Sequence, residues 1–395
     1  MMPTKIMRSF ESELDSLKSS ALHRSLRPLK GPQYCQILSG TRELRNFSSN
    51  DYLGLAASDV VRAMVTDAVE KYGAGSGASR LVCGDLEPHR MLESQLAKLK
   101  GTDAAIAFSS GYAAAVGTVS ALVRKGDVVI LDKLCHASLI DGARLSGATV
   151  RVFPHNHLEK LERLLESSVA TAGPEGRVLV VAESVYSMDG DWADLFGIVR
   201  LTQAAGALLL LDEAHAFGVF GKNGRGLADK LGLARKVDFH LGTFSKAVGL
   251  SGGYVCGGKA GIDIILNRAR SFIYSTAPPP AIAAAAHDVI TRVFPGAMGE
   301  RRRSELWSNV SIFTKAMEEA AAPLPHEPTS AIIPVILGEN ERALAAAAKL
   351  EEAGFLVPAI RYPTVPKGQA RLRITLSANH EEKDIVALAR AIARI

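Results

Sequence analysis

Lys246 closes the run Leu241-Gly242-Thr243-Phe244-Ser245-Lys246, and an earlier apolar run, Ala207 to Leu211, is closed by Asp212-Glu213-Ala214-His215. An amine at the end of one strand can hold an aldehyde covalently, and a carboxylate at the end of a neighbouring strand can keep a ring nitrogen protonated. A lone lysine after a strand is ordinarily solvated. Two strand ends carrying these groups, with small hydroxyl residues beside the lysine, give it chemical meaning.

Other groups suit the remaining parts of such a cofactor. Ser109-Ser110-Gly111-Tyr112 follows a strand-like run and opens the helical stretch Ala113–Val123. A helix N-terminus offers unpaired N–H groups and a positive dipole end to an anion, and Gly111 permits close backbone approach. Ser110, Thr243 and Ser245 would add hydroxyl donors; taken alone, the segment reads equally well as an ordinary serine-capped helix. His136, in Leu134-Cys135-His136-Ala137-Ser138, could stack on a pyridine face, although a histidine at a strand end is commonly structural. His215 could reach a phenolic oxygen from the same turn as Asp212, and Glu183 and Ser187 follow another strand and join the polar shell. Aldehyde, ring nitrogen, phenolic oxygen and phosphate together specify pyridoxal 5'-phosphate (PLP). His155, His157, His240, His287, His326 and His380 have no such company in sequence and read as structural or surface residues.

These residues need elements to position them. Strands are expected at Ala104–Phe108, Val128–Leu131, Thr149–Phe153, Val178–Ala182, Leu208–Leu211, Phe239–Gly242 and Gly253–Cys256. Continuous apolar strands separated by helices predict a parallel sheet covered on both faces, with its site at the carboxyl ends of the strands. The chain up to residue 50 predicts a helix over Phe10–Arg27 and an extended segment; 51–290 predicts the large domain; 291–395 predicts a small α/β domain. In that last part Ile332–Ile336 and Leu372–Leu376 read as strands. Glu341–Gly354 and Glu381–Ile395 read as helices, with Asn340 and Asn379 as N-caps and Glu382 completing a capping box. Gly73-Ala74-Gly75-Ser76-Gly77 follows a helical segment, Asp59–Tyr72, and lacks G-x-G-x-x-G spacing, so it reads as a mobile loop rather than a dinucleotide fingerprint.

Composition narrows the classes. The chain has 395 residues, 47% hydrophobic, enough for a large core in two or three domains. Its charge, 46 − 41 = +5, is spread out, and the one tight cluster, Arg301-Arg302-Arg303, reads as a solvated helix face. With 6% aromatics and no basic-aromatic platform, nothing points to nucleic acid. Cys35, Cys83, Cys135 and Cys256 lie far apart with no Cys-x-x-Cys, which implies neither a metal site nor a disulfide framework. Met1 to Phe10 has no apolar core of a signal peptide, and the apolar runs are too short for a membrane helix. A cytoplasmic protein without a membrane partner is expected.

Together these residues resemble the α-oxoamine synthases, a family of PLP-dependent acyltransferases. The resemblance runs from Asn46-Phe47-Ser48-Ser49-Asn50-Asp51-Tyr52-Leu53-Gly54-Leu55 to Arg371-Leu372-Arg373-Ile374-Thr375-Leu376-Ser377-Ala378. It implies an α/β protein of PLP fold type I, like aspartate aminotransferase, with a mostly parallel central sheet and a smaller C-terminal α/β domain. It implies that Lys246, Asp212 and His136 are catalytic. Ser110, Gly111, Tyr112, Glu183, Ser187, His215, Thr243 and Ser245 would hold the cofactor. Ser275 and Thr276 would reach the phosphate from the second subunit of a homodimer. Arg373, helped by Asn50 and His136, would bind the amino-acid carboxylate, and Arg24 and Thr364 would face the acyl substrate. Gly75–Val82, Ser187–Asp191 and Ala359–Pro366 match most closely the branch that condenses L-alanine with a pimeloyl thioester, on coenzyme A (CoA) or acyl carrier protein (ACP). Val365–Arg371 is close to relatives that use glycine with acetyl or succinyl thioesters, which form the alternative. A non-catalytic scaffold subunit of the same fold is a further alternative, one expected to lack the lysine or its neighbours.

Overall fold

Unbroken apolar runs become strands covered on both faces. In the computed structural model, which describes residues 5–395, seven of them form one sheet: β1 (Ala104–Phe108), β2 (Val128–Asp132), β3 (Thr149–Phe153), β4 (Val178–Glu183), β5 (Leu208–Asp212), β6 (Phe239–Thr243) and β7 (Gly253–Gly257). The order is β1-β7-β6-β5-β4-β2-β3. Neighbours from β3 through β6 pair in parallel, and β7 runs antiparallel to both β6 and β1. Every residue of β2, β4, β6 and β7 is buried, the state in which a strand needs no polar alternate face.

One core cluster joins Phe108, Leu131, Val181, Leu210, Leu241 and Val255 of the sheet to Val119, Leu139 and Ile265 of helices Gly111–Leu122, Ala137–Ser146 and Lys259–Arg268. Gly142 lets two of these helices meet: a Cβ there would lie 3.1 Å from the Val116 Cα. Gly253 serves the site directly. A Cβ on it would lie 2.7 Å from the Gly111 Cα, so only glycine at the start of β7 lets the Ser110–Gly111 turn fold inward.

The chain divides into two compact units, Asn50–Trp307 and the segment ending at Ser49 together with Ser308–Ile395. The N-terminal segment joins the second unit because strand Arg42–Asn46 pairs in parallel with Phe355–Leu356. That unit also holds a three-stranded antiparallel sheet of Ile332–Gly338, Ala370–Thr375 and Ala359–Ile360. Residues 1–4 of the N-terminal stretch read for a signal peptide lie outside the described residues. Among the described residues no helix is long and apolar enough to cross a membrane.

Several local expectations are corrected. The first helix spans Lys5–Ser19, not Phe10–Arg27. It stops because Ala21 takes φ +54° and the Leu17 carbonyl accepts from both Leu22 (2.8 Å) and His23 (3.0 Å), which turns the chain away. Asn340 is the first residue of its helix, which is flanked by Glu339, and the last helix, Glu382–Ile392, is flanked by Glu381 rather than Asn379. The Glu339 and Glu381 carbonyls already accept the first helical bonds, from Ala343 and Ile385, and the carboxylates of the first turn favour the positive helix end. In the arginine cluster only Arg301 is exposed; Arg303 is drawn in to donate to the Phe294 carbonyl at 2.9 Å.

Candidate active site

The turn after β6 is set by its hydroxyls. Thr243 Oγ1 donates to the Gly252 carbonyl (2.7 Å), accepts from the Ser245 N–H (3.2 Å), and lies 2.7 Å from Ser245 Oγ. Gly249 N–H then bonds back to the Lys246 carbonyl at 2.9 Å. Lys246 is thereby aimed from a tight, doubly tied turn, with Nζ 2.7 Å from His215 Nε2. His215 Nδ1 lies 2.5 Å from the Tyr52 hydroxyl. Tyr52, His215 and Lys246 form a line through the two ring nitrogens of the imidazole. Such a line fixes the lysine and can pass it a proton.

Asp212 ends β5 and Glu183 ends β4, directly paired across the parallel ladder. Both are buried. Asp212 accepts from Ala214 N–H at 2.8 Å, and Glu183 accepts from the His136 N–H. Burial pushes the Asp212 carboxyl up to about 6, against the opposing pull of Lys246. Burial, then the neighbouring Asp212, push Glu183 well above the carboxylate range. Two adjacent buried carboxyls facing one lysine form a site short of positive charge. A protonated ring nitrogen beside Asp212 would supply that charge.

The anion end is built differently. Ser110 caps the twelve-residue helix Gly111–Leu122, its Oγ accepting from Ala113 N–H at 3.1 Å. A Cβ on Gly111 would lie 3.2 Å from Thr243 Oγ1, so glycine keeps that corner open. His136 caps the next helix, and its Nδ1 lies 2.7 Å from Ser138 Oγ, which fixes the ring plane. Burial, then Lys246, lower its pKa, so the ring facing the cavity is neutral and suited to stacking.

Ser110, Gly111, Tyr112, His136, Glu183, Asp212, His215, Thr243, Ser245 and Lys246 line a single cavity of about 260 Å³. The sequence predicts all ten for the cofactor. The cavity offers an amine, a buried pair of carboxyl groups, a flat imidazole and a helix N-terminus with hydroxyls, a set that fits the aldehyde, ring nitrogen, ring face and phosphate of PLP. Asn50 and Ser187 belong to the same unit but are not among the lining residues, nor are Ser275 and Thr276. Thr276 instead bridges to Ser79. Arg24 and Thr364 line a separate cavity of about 300 Å³ in the other unit, where Arg373 is buried and donates to Thr375 Oγ1 at 2.8 Å.

Other residues around the site carry no sequence signal of their own. Ser138 and Tyr52 join it, each two residues from a predicted site residue, His136 and Asn50. Glu213 looks like a spacer between Asp212 and His215, yet it accepts from Lys100 Nζ (2.6 Å) and Ala228 N–H (3.0 Å) and meets His240 Nδ1 at 3.1 Å. Burial works to raise Glu213, but Lys100 and His240 overcome it and hold the carboxyl at about 2. His155, read as structural or surface, does have polar company: Asp132 on one ring nitrogen and Asp191 on the other. No sequence spacing links these residues, because each pair is joined only when separate elements of the fold come side by side.

Known proteins resemble the chain along nearly its whole length. The family model for aminotransferase class I and II matches residues 42–392. The 8-amino-7-oxononanoate synthase of Geobacter sulfurreducens is 44% identical over 98% of both chains, and that of Anaeromyxobacter dehalogenans is 45% identical over 97% of this chain and 94% of its own. A serine palmitoyltransferase from Sphingomonas wittichii superimposes with a TM-score of 0.89 at 31% identity, covering 100% of this chain and 98% of its own. The Francisella tularensis 8-amino-7-oxononanoate synthase superimposes at 0.74 with 29% identity, covering 89% and 97%. Fold, cofactor site and relatives agree: the chain belongs to the aminotransferase class I and II family and, within it, to the PLP-dependent α-oxoamine synthases.

Proposed function

We propose that the protein joins L-alanine to a pimeloyl thioester of CoA or ACP with loss of CO2, releasing 8-amino-7-oxononanoate and the free thiol. The observation that carries the reading is the meeting of Lys246, Asp212 and His215 in one cavity, in a chain 41–45% identical to relatives named 8-amino-7-oxononanoate synthase. A non-catalytic scaffold would have no use for that assembly.

PLP, when bound, supplies an electron sink for the bonds broken at the amino-acid α-carbon. Lys246 would hold its aldehyde, and the free amine would remove the alanine α-proton and, as ammonium, return a proton to carbon after CO2 has left. His215, backed by Tyr52, orients the amine between these tasks. Asp212 holds the proton on the ring nitrogen, His136 covers the ring, and Ser110, Gly111, Tyr112, Thr243 and Ser245 bind the phosphate end. Glu183 fixes the His136 loop, and Ser187 contributes a cofactor contact. Arg373, with Asn50, takes the alanine carboxylate, and Arg24 and Thr364 face the acyl chain. Ser275 and Thr276 complete the phosphate site of the partner subunit in a homodimer. The enzyme works in the cytoplasm, where its four separate cysteines stay reduced.

A crossed acyl-transfer assay tests this reading: alanine, glycine and serine against pimeloyl, acetyl, succinyl and palmitoyl thioesters. Alanine with pimeloyl should give the highest kcat/KM, and Lys246→Ala should lower kcat by roughly a hundredfold to ten-thousandfold. A maximum for glycine with acetyl-CoA would overturn the substrate pair and leave the cofactor site standing.

A further inference from the structure

His155 joins two loops that the proposed chemistry needs. It follows the edge strand β3 and reaches the end of β2 and, beyond it, the loop after β4. Its Nδ1 lies 3.0 Å from Asp132 Oδ2 and its Nε2 lies 2.8 Å from Asp191 Oδ2. With a carboxylate on each nitrogen the imidazolium can donate to both, and Asn156 Nδ2 lies 3.2 Å from the same Nε2. Burial opposes the charge, but the two aspartates outweigh it and raise the His155 pKa to about 10. The ring edge rests on Tyr186, centroids 4.3 Å apart. Asn156 repeats the span, donating to the Trp192 carbonyl (3.0 Å) and accepting from Asp194 N–H (2.9 Å).

Each anchor leads to a residue of the site. Asp132 accepts from Leu134 N–H with its carboxylate (2.8 Å) and from Cys135 N–H with its carbonyl (3.1 Å), which sets the path into His136. The Asp191 carbonyl accepts from Tyr186 N–H (3.0 Å) and the Tyr186 carbonyl from Gly190 N–H (2.8 Å), closing the loop that carries Ser187. We propose that His155 is a positioning residue, a fixed cationic strut that sets the spacing between the His136 loop and the Ser187 loop and so the fit of the PLP ring between them. This rests on the reading that those two loops flank the cofactor.

Two variants test the strut, His155→Gln and Asp191→Asn, the second at a half-exposed carboxylate. PLP affinity by fluorescence quenching, the visible circular dichroism of bound PLP, and the melting temperature of the cofactor-free protein are measured for each. Both variants should bind PLP roughly tenfold more weakly, the scale of one lost charge-assisted hydrogen bond. Their visible dichroism should fall, and their cofactor-free melting should stay within a few degrees of wild type. The double variant should be no worse than either single, because both break one strut. Wild-type affinity and dichroism in both, or a double variant weakened by the product of the singles, would overturn the proposal. If His155→Gln does not fold, Asp191→Asn decides by the same readouts. Borohydride trapping of PLP on wild-type Lys246 separates the two readings. With wild type labelled and the variants unchanged, the strut alone fails; with wild type unlabelled at Lys246, the cofactor reading fails.

Discussion

At the scale of residues, the site holds charge that the cofactor-free protein stores at a cost. Asp212 ionises near its ordinary 3.8 when unfolded and at about 6 when folded. Between those values the folded state keeps a proton that the unfolded chain releases, so stability falls as pH rises through that window and is level above it. Asp212→Asn removes the effect. The cofactor-free variant should be more stable than wild type at pH 8 by up to about 3 kcal/mol, with the gap closing toward pH 4. Turnover should fall roughly ten- to a hundredfold, since an amide cannot keep the ring nitrogen charged. Urea melts at both pH values and steady-state rates check this; equal stability together with wild-type rates would remove Asp212 from its role.

At the scale of elements, the site is positioned by strand ends and held from below by buried charge. Lys100 ends the helix Glu87–Lys100 and reaches Glu213 and the Arg225 carbonyl, with its side chain 2% exposed. The turn that carries Asp212 and His215 is thus tied on its far side to a helix more than a hundred residues earlier in sequence. Lys100→Met leaves Glu213 buried without its cation and should cost roughly 3–5 kcal/mol. Adding Glu213→Gln should recover part of that loss, because the stranded charge is then gone. Denaturant titration of the single and double variants reads both; a loss under about 1 kcal/mol for Lys100→Met would show that the ion pair does not carry the turn.

At the scale of the whole molecule, apolar surface is left facing outward. Val82 is 78% exposed and Tyr274 72%, and their segments are joined by the Ser79–Thr276 bridge and by Ala277 N–H on the Ala78 carbonyl. A patch of this kind suits a subunit interface. Light scattering should give a dimer, and substituting Val82 and Tyr274 with charged residues should weaken both dimer and PLP binding; a fully active monomer would contradict the expectation. The sequence by itself determined the seven strands of the large sheet, because unbroken apolar runs leave a chain few other choices, and it picked out Lys246, Asp212 and His215 at or just after strand ends, which the fold brings to one cavity. Helix ends at Ala21, Glu339 and Glu381 were not legible, since backbone hydrogen bonds rather than cap propensities fixed them. Only the tertiary structure decided what stands beneath and beside the chemistry. Lys100 meets Glu213, and His155 meets Asp132 and Asp191, because sheet order, not spacing along the chain, brings their elements together. A buried charge acquires its meaning from the partner the fold sets against it.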